Sequence, residues 1–290
     1  MKPKIYIDGQ AGTTGLQIYD RLGQRDDIEL LIISDELHRD VEERKKFMNA
    51  ADLVFLCLPD VAAIEAVSLV ENPETKIIDA STAHRTNPAW DYGFPELSLE
   101  HRENIIGSKR VANPGCYASG FISIVYPLVK LGIIDKDVPL TSWGLSGYSG
   151  GGKKMIADYE SEDKGDALYA PSHYALNGDH KHIPEMQVIC GLTKKPVFNP
   201  IVDDYYKGMA TTVPFHMSQL TGVSTLHDVW QKLKAHYAGA ALVQVAETID
   251  VAKVYANAKA GQDTLQLIVA GNDEQFTVTA LFDNLGKGAS

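Results

Sequence analysis

"IYIDGQAGTTGLQIYDRL", residues 5–22, decides how the chain is read. A short apolar run (5–9) leads into three glycines, Gly9, Gly12 and Gly15, spaced G-x-x-G-x-x-G, and a helical pattern follows near 14–23. Glycines at such a strand-to-helix turn allow a tight bend. They also let a pyrophosphate approach the backbone N–H groups at the helix start. Placement between a strand and a helix favours dinucleotide binding over a simple packing turn.

Outward from that stretch the same rhythm continues. Strand-like runs at 28–34, 52–59 and 76–81 alternate with helical patterns near 40–50 and 61–70. Strands separated by 10–15-residue helical patterns imply βαβ units and a parallel sheet. Residues 1–112 are therefore expected to form a doubly wound α/β domain of Rossmann type that binds a dinucleotide. Its second strand ends in "SDELHRD" (34–40). Asp35 there could bond an NAD ribose hydroxyl, Ser34 with Arg39 could receive an NADP 2′-phosphate, and a plain solvated loop is the third reading.

After Gly107 the texture changes. "DVPLTSWGLSGYS", "QVICGLTKKPVFNPIVD", "MATTVPFHM", "AALVQVAE" and "TLQLIVAG…QFTVTALFDN" are rich in β-branched residues, with helices suggested at 121–131, 153–161 and 225–238. Residues 113–280 are expected to be an α+β catalytic and oligomerisation domain with a mainly antiparallel sheet, and 281–290 to begin a return to the first domain. No flexible linker marks the boundary near Asn113–Cys116. Cys116 is thus expected where two domains meet, a common place for a cleft.

Composition narrows the function. The 290 residues are 44% hydrophobic and 22% charged, ordinary for a globular protein, and the net charge of −11 disfavours nucleic acid and anionic membranes as partners. The three cysteines, Cys57, Cys116 and Cys190, form no C-x-x-C pattern, so neither a disulfide framework nor a cysteine zinc site is expected. No apolar run approaches the ~20 residues of a membrane span, and nothing resembles a signal peptide. A cytoplasmic protein is the expectation.

Three further stretches carry chemistry. In "NPGCYASG" (113–120) a Pro-Gly turn sets Cys116 near a helix start, where the macrodipole and unpaired N–H groups favour a thiolate; a small core residue is the plainer alternative. In "SGYSGGGKK" (146–154) Gly147, Gly152 and Lys153 match G-x-x-x-x-G-K, but Lys154 stands where a P-loop needs Ser or Thr for Mg²⁺. A glycine-rich loop whose N–H groups and lysines face an anion fits better, with a surface loop beside it. In "NGDHKHIPEMQ" an extended chain would put His180 and His182 on one face, with Glu185 close behind. Surface histidines come first among the readings, an acid/base partner for a cysteine second, and a metal site last; no metal is expected.

Together "GQAGTTG", "VFLCLP", "IIDASTAHR", "YGFPEL", "NPGCY", "SGYSGGGKK", "HKHIPEM", "YYKGM" and "DNLGKG", in this order and across nearly the whole chain, resemble the N-acetyl-γ-glutamyl-phosphate reductase family, its shorter subtype in particular. The resemblance implies an NADP-dependent oxidoreductase of arginine biosynthesis that reduces an acyl phosphate through a cysteine thioester. It implies Cys116 as nucleophile and His180 as its acid/base partner. It places NADP over Gly12, Thr13, Thr14 and Gly15, with Asn284 near the nicotinamide; Gly9, Ser34, Arg39 and Pro59 complete the candidate cofactor-binding set. Substrate phosphate and carboxylate would lie against Arg85, Ser149, His182 and Glu185, Arg85 being the best anion candidate because a guanidinium grips phosphate bidentately. A homo-oligomer, dimer or tetramer, is implied, as is a C-terminal helix in relatives that continues past "DNLGKG". Aspartate-semialdehyde dehydrogenase is the nearest enzymatic alternative, and a non-catalytic dinucleotide-binding regulator the alternative of another class.

Overall fold

Strand β1 (Lys4–Asp8) is buried from its second residue on and pairs in parallel with both β2 (Glu29–Leu31) and β3 (Leu53–Leu56). A strand flanked on both edges and packed on both faces must be apolar throughout, which is why this stretch reads as a continuous run. The computed structural model describes residues 2–9, 12–34 and 36–288. Two compact units emerge, the first made of residues up to Pro95 with Leu99–Pro114, the second of Glu96–Ser98 with Gly115 onward.

The first unit adds β4 (Lys76–Asp79), β5 (Asp91–Tyr92) and β6 (Arg110–Ala112) to give an all-parallel sheet of order β2-β1-β3-β4-β6-β5. Helices α1 (Thr13–Gly23), α2 (Val41–Ala50), α3 (Asp60–Leu69) and α4 (Leu99–Gly107) supply the crossovers. Tyr6, Met48, Val54, Leu56, Ala66 and Ile77 form the core, each nearly sealed from solvent. Helix α2 starts where Asp40 accepts the Glu43 N–H at 2.9 Å, a side-chain cap for an otherwise orphaned donor. This is the expected doubly wound α/β architecture.

The second unit is built on a seven-stranded sheet of order β11-β12-β13-β10-β7-β9-β8. Its elements are α5 (Cys116–Lys130), β7 (Thr141–Gly147), α6 (Gly152–Glu160), β8 (Ser172–His173), α7 (Ile183–Cys190), β9 (Val197–Asp203), β10 (Met209–His216), α8 (Leu226–His236), β11 (Val243–Val245), β12 (Leu265–Gly271) and β13 (Gln275–Phe282). Only β7–β9 and β11–β12 pair in parallel; the other pairings are antiparallel, as expected of a mainly antiparallel sheet.

Helix α5 carries Cys116 as its first residue, five residues earlier than the expected start, and is buried from Tyr117 to Leu128. Pro127 sits inside it and offers no N–H to the Ser123 carbonyl four residues back. The Tyr237 hydroxyl satisfies that carbonyl instead, at 2.7 Å in the buried interior.

One expected strand is a helix. "QVIC" (187–190), read with the β-branched run that follows, closes α7. A proline in the first turn starts that helix, and Gly191 ends it in the left-handed region at φ 67°, its N–H donating to the Gln187 and Val188 carbonyls. Burial of Met186 and Cys190 on one side outweighs the β preference of Val188 and Ile189.

Candidate functional site

The candidate catalytic residues lie together in the second unit, where α5 and α7 pack against one another. Gly115, extended at φ −78° and ψ 147°, caps α5, so the Cys116 thiol stands at the helix start with the first N–H groups of the helix around it. Cys116 is half-buried, unlike the sealed Cys190. The Gly115 N–H donates to Oε1 of Glu185 at 2.8 Å. Glu185, 1% exposed, thereby pins the turn that presents the sulfur and sets a carboxylate at the positive end of the helix dipole.

His180 and His182 are both buried, at 8% and 4% exposure, which corrects the expectation of surface histidines. A turn, not an extended segment, brings them together. The Ile183 N–H donates to the His180 carbonyl at 2.9 Å, His182 takes helical angles as the cap of α7, and the two rings meet edge to face with centroids 4.8 Å apart. Tyr117 and Phe198 pack against the His180 ring at 5.6 and 5.1 Å. Gly144 of β7 makes room for the Tyr117 ring: a Cβ there would come within 2.4 Å of Tyr117 Cδ1.

The proton on His180 can be located. The His182 backbone N–H donates to Nδ1 at 3.2 Å, so Nδ1 holds a lone pair and the neutral ring carries its hydrogen on Nε2. Nε2–H faces the Tyr174 hydroxyl at 3.5 Å. Burial, aided by the Lys181 charge, lowers the His180 pKa to about 4, and the ring is neutral at physiological pH.

Ser149 and Asn284 are also brought together, in the same unit. Ser149, fully buried in the 3₁₀ turn Tyr148–Gly151, accepts from Asn284 Nδ2 at 3.1 Å, while Asn284 Oδ1 accepts the Gly208 N–H at 2.8 Å. Part of the glycine-rich loop is satisfied within the protein. The N–H groups of Gly147, Tyr148 and Ser149 donate to the carbonyls of Gly208, Tyr205 and Tyr206, and that of Gly152 to Ser149. The "YYKG" segment thus takes up three of the loop's N–H donors.

The candidate cofactor residues other than Asn284 lie in the first unit. Gly9 closes β1 at φ 84°, and a Cβ there would come within 2.3 Å of the Cys57 carbonyl, so only glycine fits. Gly12 caps α1, its N–H donating to the Gly9 carbonyl at 3.0 Å; Thr13, Thr14 and Gly15 form the first turn. A cavity of about 500 Å³ opens beside them, lined among others by Gly9, Leu16, Ile33, His38, Arg39 and Leu58. Pro59 caps α3 next to Leu58, and Ser34 is exposed at the start of the turn leading to Arg39. Asp35 lies outside the described residues. Arg85, 8% exposed, donates Nε to the Asn113 carbonyl at 2.8 Å and Nη2 to the Ala80 carbonyl at 3.0 Å. Those bonds brace the turn before Gly115.

Several contributors escaped the sequence reading. Tyr117, Tyr174 and Phe198 pack around His180; Tyr174 and Phe198 lie in no motif, and Tyr117, though part of "NPGCY", carried no assigned role. Arg44 lines the cavity beside Gly9 and pairs with the buried Asp8 at 2.7 Å; a charged residue ending an apolar strand was the available signal. His84 Nδ1 bonds Asp79 Oδ2 at 2.6 Å and stacks on Trp90 at 4.1 Å between centroids.

Family models for the semialdehyde dehydrogenase NAD binding domain and dimerisation domain match residues 4–105 and 116–284. N-acetyl-gamma-glutamyl-phosphate reductases of Brucella ovis and Brucella canis are each 46% identical over 297 aligned residues, spanning 100% of this chain and 96% of theirs. The chain belongs to the N-acetyl-γ-glutamyl-phosphate reductase family. In fold, this reductase-family chain is similar to aspartate semialdehyde dehydrogenase II of Vibrio cholerae in complex with ASA (TM-score 0.74, 14% identity, 100% of this chain and 95% of that one). The same holds for the enzyme of Francisella tularensis (TM-score 0.73, 14% identity, 100% and 96%). The family carries an NAD(P)-binding domain and a dimerisation domain, and among the described residues no helix is long and apolar enough to cross a membrane.

Proposed function

We propose that the protein is a cytoplasmic, homo-oligomeric oxidoreductase that reduces N-acetyl-γ-glutamyl phosphate to N-acetylglutamate semialdehyde, releasing phosphate. The observation that carries this reading is Cys116 at the start of α5, where the next residue, Tyr117, packs on the buried His180 ring, in a chain alike over its full length to reductases of that name.

A carboxylate resists hydride, which is why the substrate arrives as an acyl phosphate. The Cys116 thiolate attacks the acyl carbon, a C–S bond forms, the C–O bond to phosphate breaks, and a thioester remains on the protein. Sulfur suits both halves of the reaction, because it attacks well as a thiolate and leaves as one. Bound NADPH supplies the hydride that reduces the thioester carbonyl. The sulfur then departs from the resulting thiohemiacetal oxyanion, giving the aldehyde and restoring the thiolate. His180 presents a proton and not a lone pair at Nε2, which suits it to donate to an oxyanion at the acyl carbon. Glu185 holds the Gly115 N–H, and Arg85 the Asn113 carbonyl.

Gly9, Gly12 and the first turn of α1 are suited to hold the pyrophosphate, with Thr13, Thr14, Gly15, Ser34 and Pro59 around it. The adenosine end fits the cavity beside them, whose basic His38 and Arg39 favour an NADP 2′-phosphate over an NAD ribose. Asn284, Ser149 and His182 are assigned to the nicotinamide and substrate end. The test is phosphate-dependent reduction of NADP⁺ with N-acetylglutamate semialdehyde and, separately, aspartate semialdehyde. The acetylated substrate is expected to win by at least about a hundredfold in kcat/KM, and Cys116→Ser to abolish turnover with NADPH binding retained. Preference for aspartate semialdehyde, or an active serine variant, refutes the proposal.

A further inference from the structure

Tyr174 has had no part in the chemistry so far, yet the chain is bent to place it. Its N–H donates to the Pro200 carbonyl at 3.2 Å just after β8, and the next residue, Ala175, is the one described non-glycine residue with positive φ, 51°. A left-handed alanine is strained and persists only where its surroundings enforce it. Here it opens the Ala175–Gly178 turn, closed by Gly178 N–H to Ala175 carbonyl at 3.0 Å, which returns the chain to His180. The Tyr174 hydroxyl thus ends 3.5 Å from Nε2, with ring centroids 5.7 Å apart.

We propose that Tyr174 is a positioning residue for the Cys116–His180 pair: its hydroxyl oxygen holds the Nε2–H of His180 in the resting enzyme and yields it to the acyl oxygen. The inference rests on the reductase reading above. The hydrogen bonds run in one direction. The His182 N–H points at Nδ1 and Nε2–H at Tyr174, whose phenol lies within electrostatic reach of Tyr117. Tyr117 then donates to the Ile201 carbonyl at 3.4 Å. With Nδ1 accepting from the His182 N–H, the neutral imidazole keeps its proton on the Tyr174 side. Tyr174 also lies within the field of the sulfur. Burial first, and the Cys116 charge after it, push the Tyr174 phenol up to about 12, so it keeps its hydrogen throughout the working pH range. At 3.5 Å the contact lies at the outer limit of a hydrogen bond.

Tyr174→Phe removes one oxygen from a half-buried ring and is expected to fold. The first readout needs no substrate: the His180 ring N–H in ¹H–¹⁵N spectra of the full chain, assigned by its loss in His180→Gln. In Tyr174→Phe this signal is expected to shift or exchange away, kcat to fall about tenfold, and KM for both substrates to stay within twofold. On the His180→Gln background the same change is expected to alter the residual rate less than twofold, because Tyr174 acts through the ring. An unmoved ring N–H signal, an unchanged kcat, or a full tenfold effect on that background overturns the proposal. Should the acetylated substrate prove wrong, the spectra still decide whether Tyr174 holds the ring.

Discussion

Replacement of Glu185 probes the turn that presents the sulfur. The Oε1–Gly115 N–H bond of 2.8 Å is sealed from water and charge-assisted, and its acceptor sits at the N-terminus of a fifteen-residue helix. Glu185→Ala strands a buried N–H and removes the favourable dipole contact. Hydrogen bonds to charged groups contribute about 1.5–3 kcal/mol, and the whole change is expected to cost about 3 kcal/mol. Glu185→Gln keeps an acceptor oxygen and loses only the charge, for about 1 kcal/mol. Urea unfolding followed by circular dichroism measures both, with the midpoint moving and the slope constant. Activity is expected to follow the same order, since a turn displaced by a fraction of an ångström misaims Cys116. Equal losses in the two variants, or an alanine variant as stable as the parent, would show that Glu185 does not support the turn.

Other outcomes follow from the same geometry. His180 is neutral when folded, with a pKa near 4, but titrates near 6.5 when unfolded, so the unfolded chain binds more protons between those values. Stability therefore falls as pH drops from 6.5 to 4, by about 3 kcal/mol from this residue, and a His180→Gln variant is expected to show a correspondingly shallower decline in denaturant titrations across that window. Tyr237→Phe strands the Ser123 carbonyl beside Pro127 and is expected to cost about 1–3 kcal/mol, read as a lower melting temperature; an unchanged Tm counts against the role given to that hydroxyl. With a 2′-phosphate on Arg39, Arg39→Gln is expected to raise the KM for NADPH about 10–100-fold while leaving that for NADH nearly constant, and parallel shifts for both cofactors would place the phosphate elsewhere.

Periodicity and glycine spacing were enough to make the first unit legible from its opening residues, because a parallel sheet demands apolar strands at helical intervals and a strand-to-helix turn demands glycine where φ is positive. Cys116 after Pro-Gly was equally readable, since a helix start is a local property. Glu185 and Arg85 stood out as charged residues, but not as braces of a turn, for that depends on which carbonyl or N–H the fold delivers to them. "QVIC" went unread as a helix because its cap, Gly191, counts only once burial has overruled β propensity. The linear order left the two histidines as surface residues and Tyr174 without meaning. Only tertiary packing decided them: the tautomer of His180 is set by the His182 N–H, and the direction of its proton by a tyrosine that a left-handed alanine swings into place. Short-range physics writes itself into neighbouring residues, whereas a hydrogen bond between distant segments leaves no mark on either until the chain has folded.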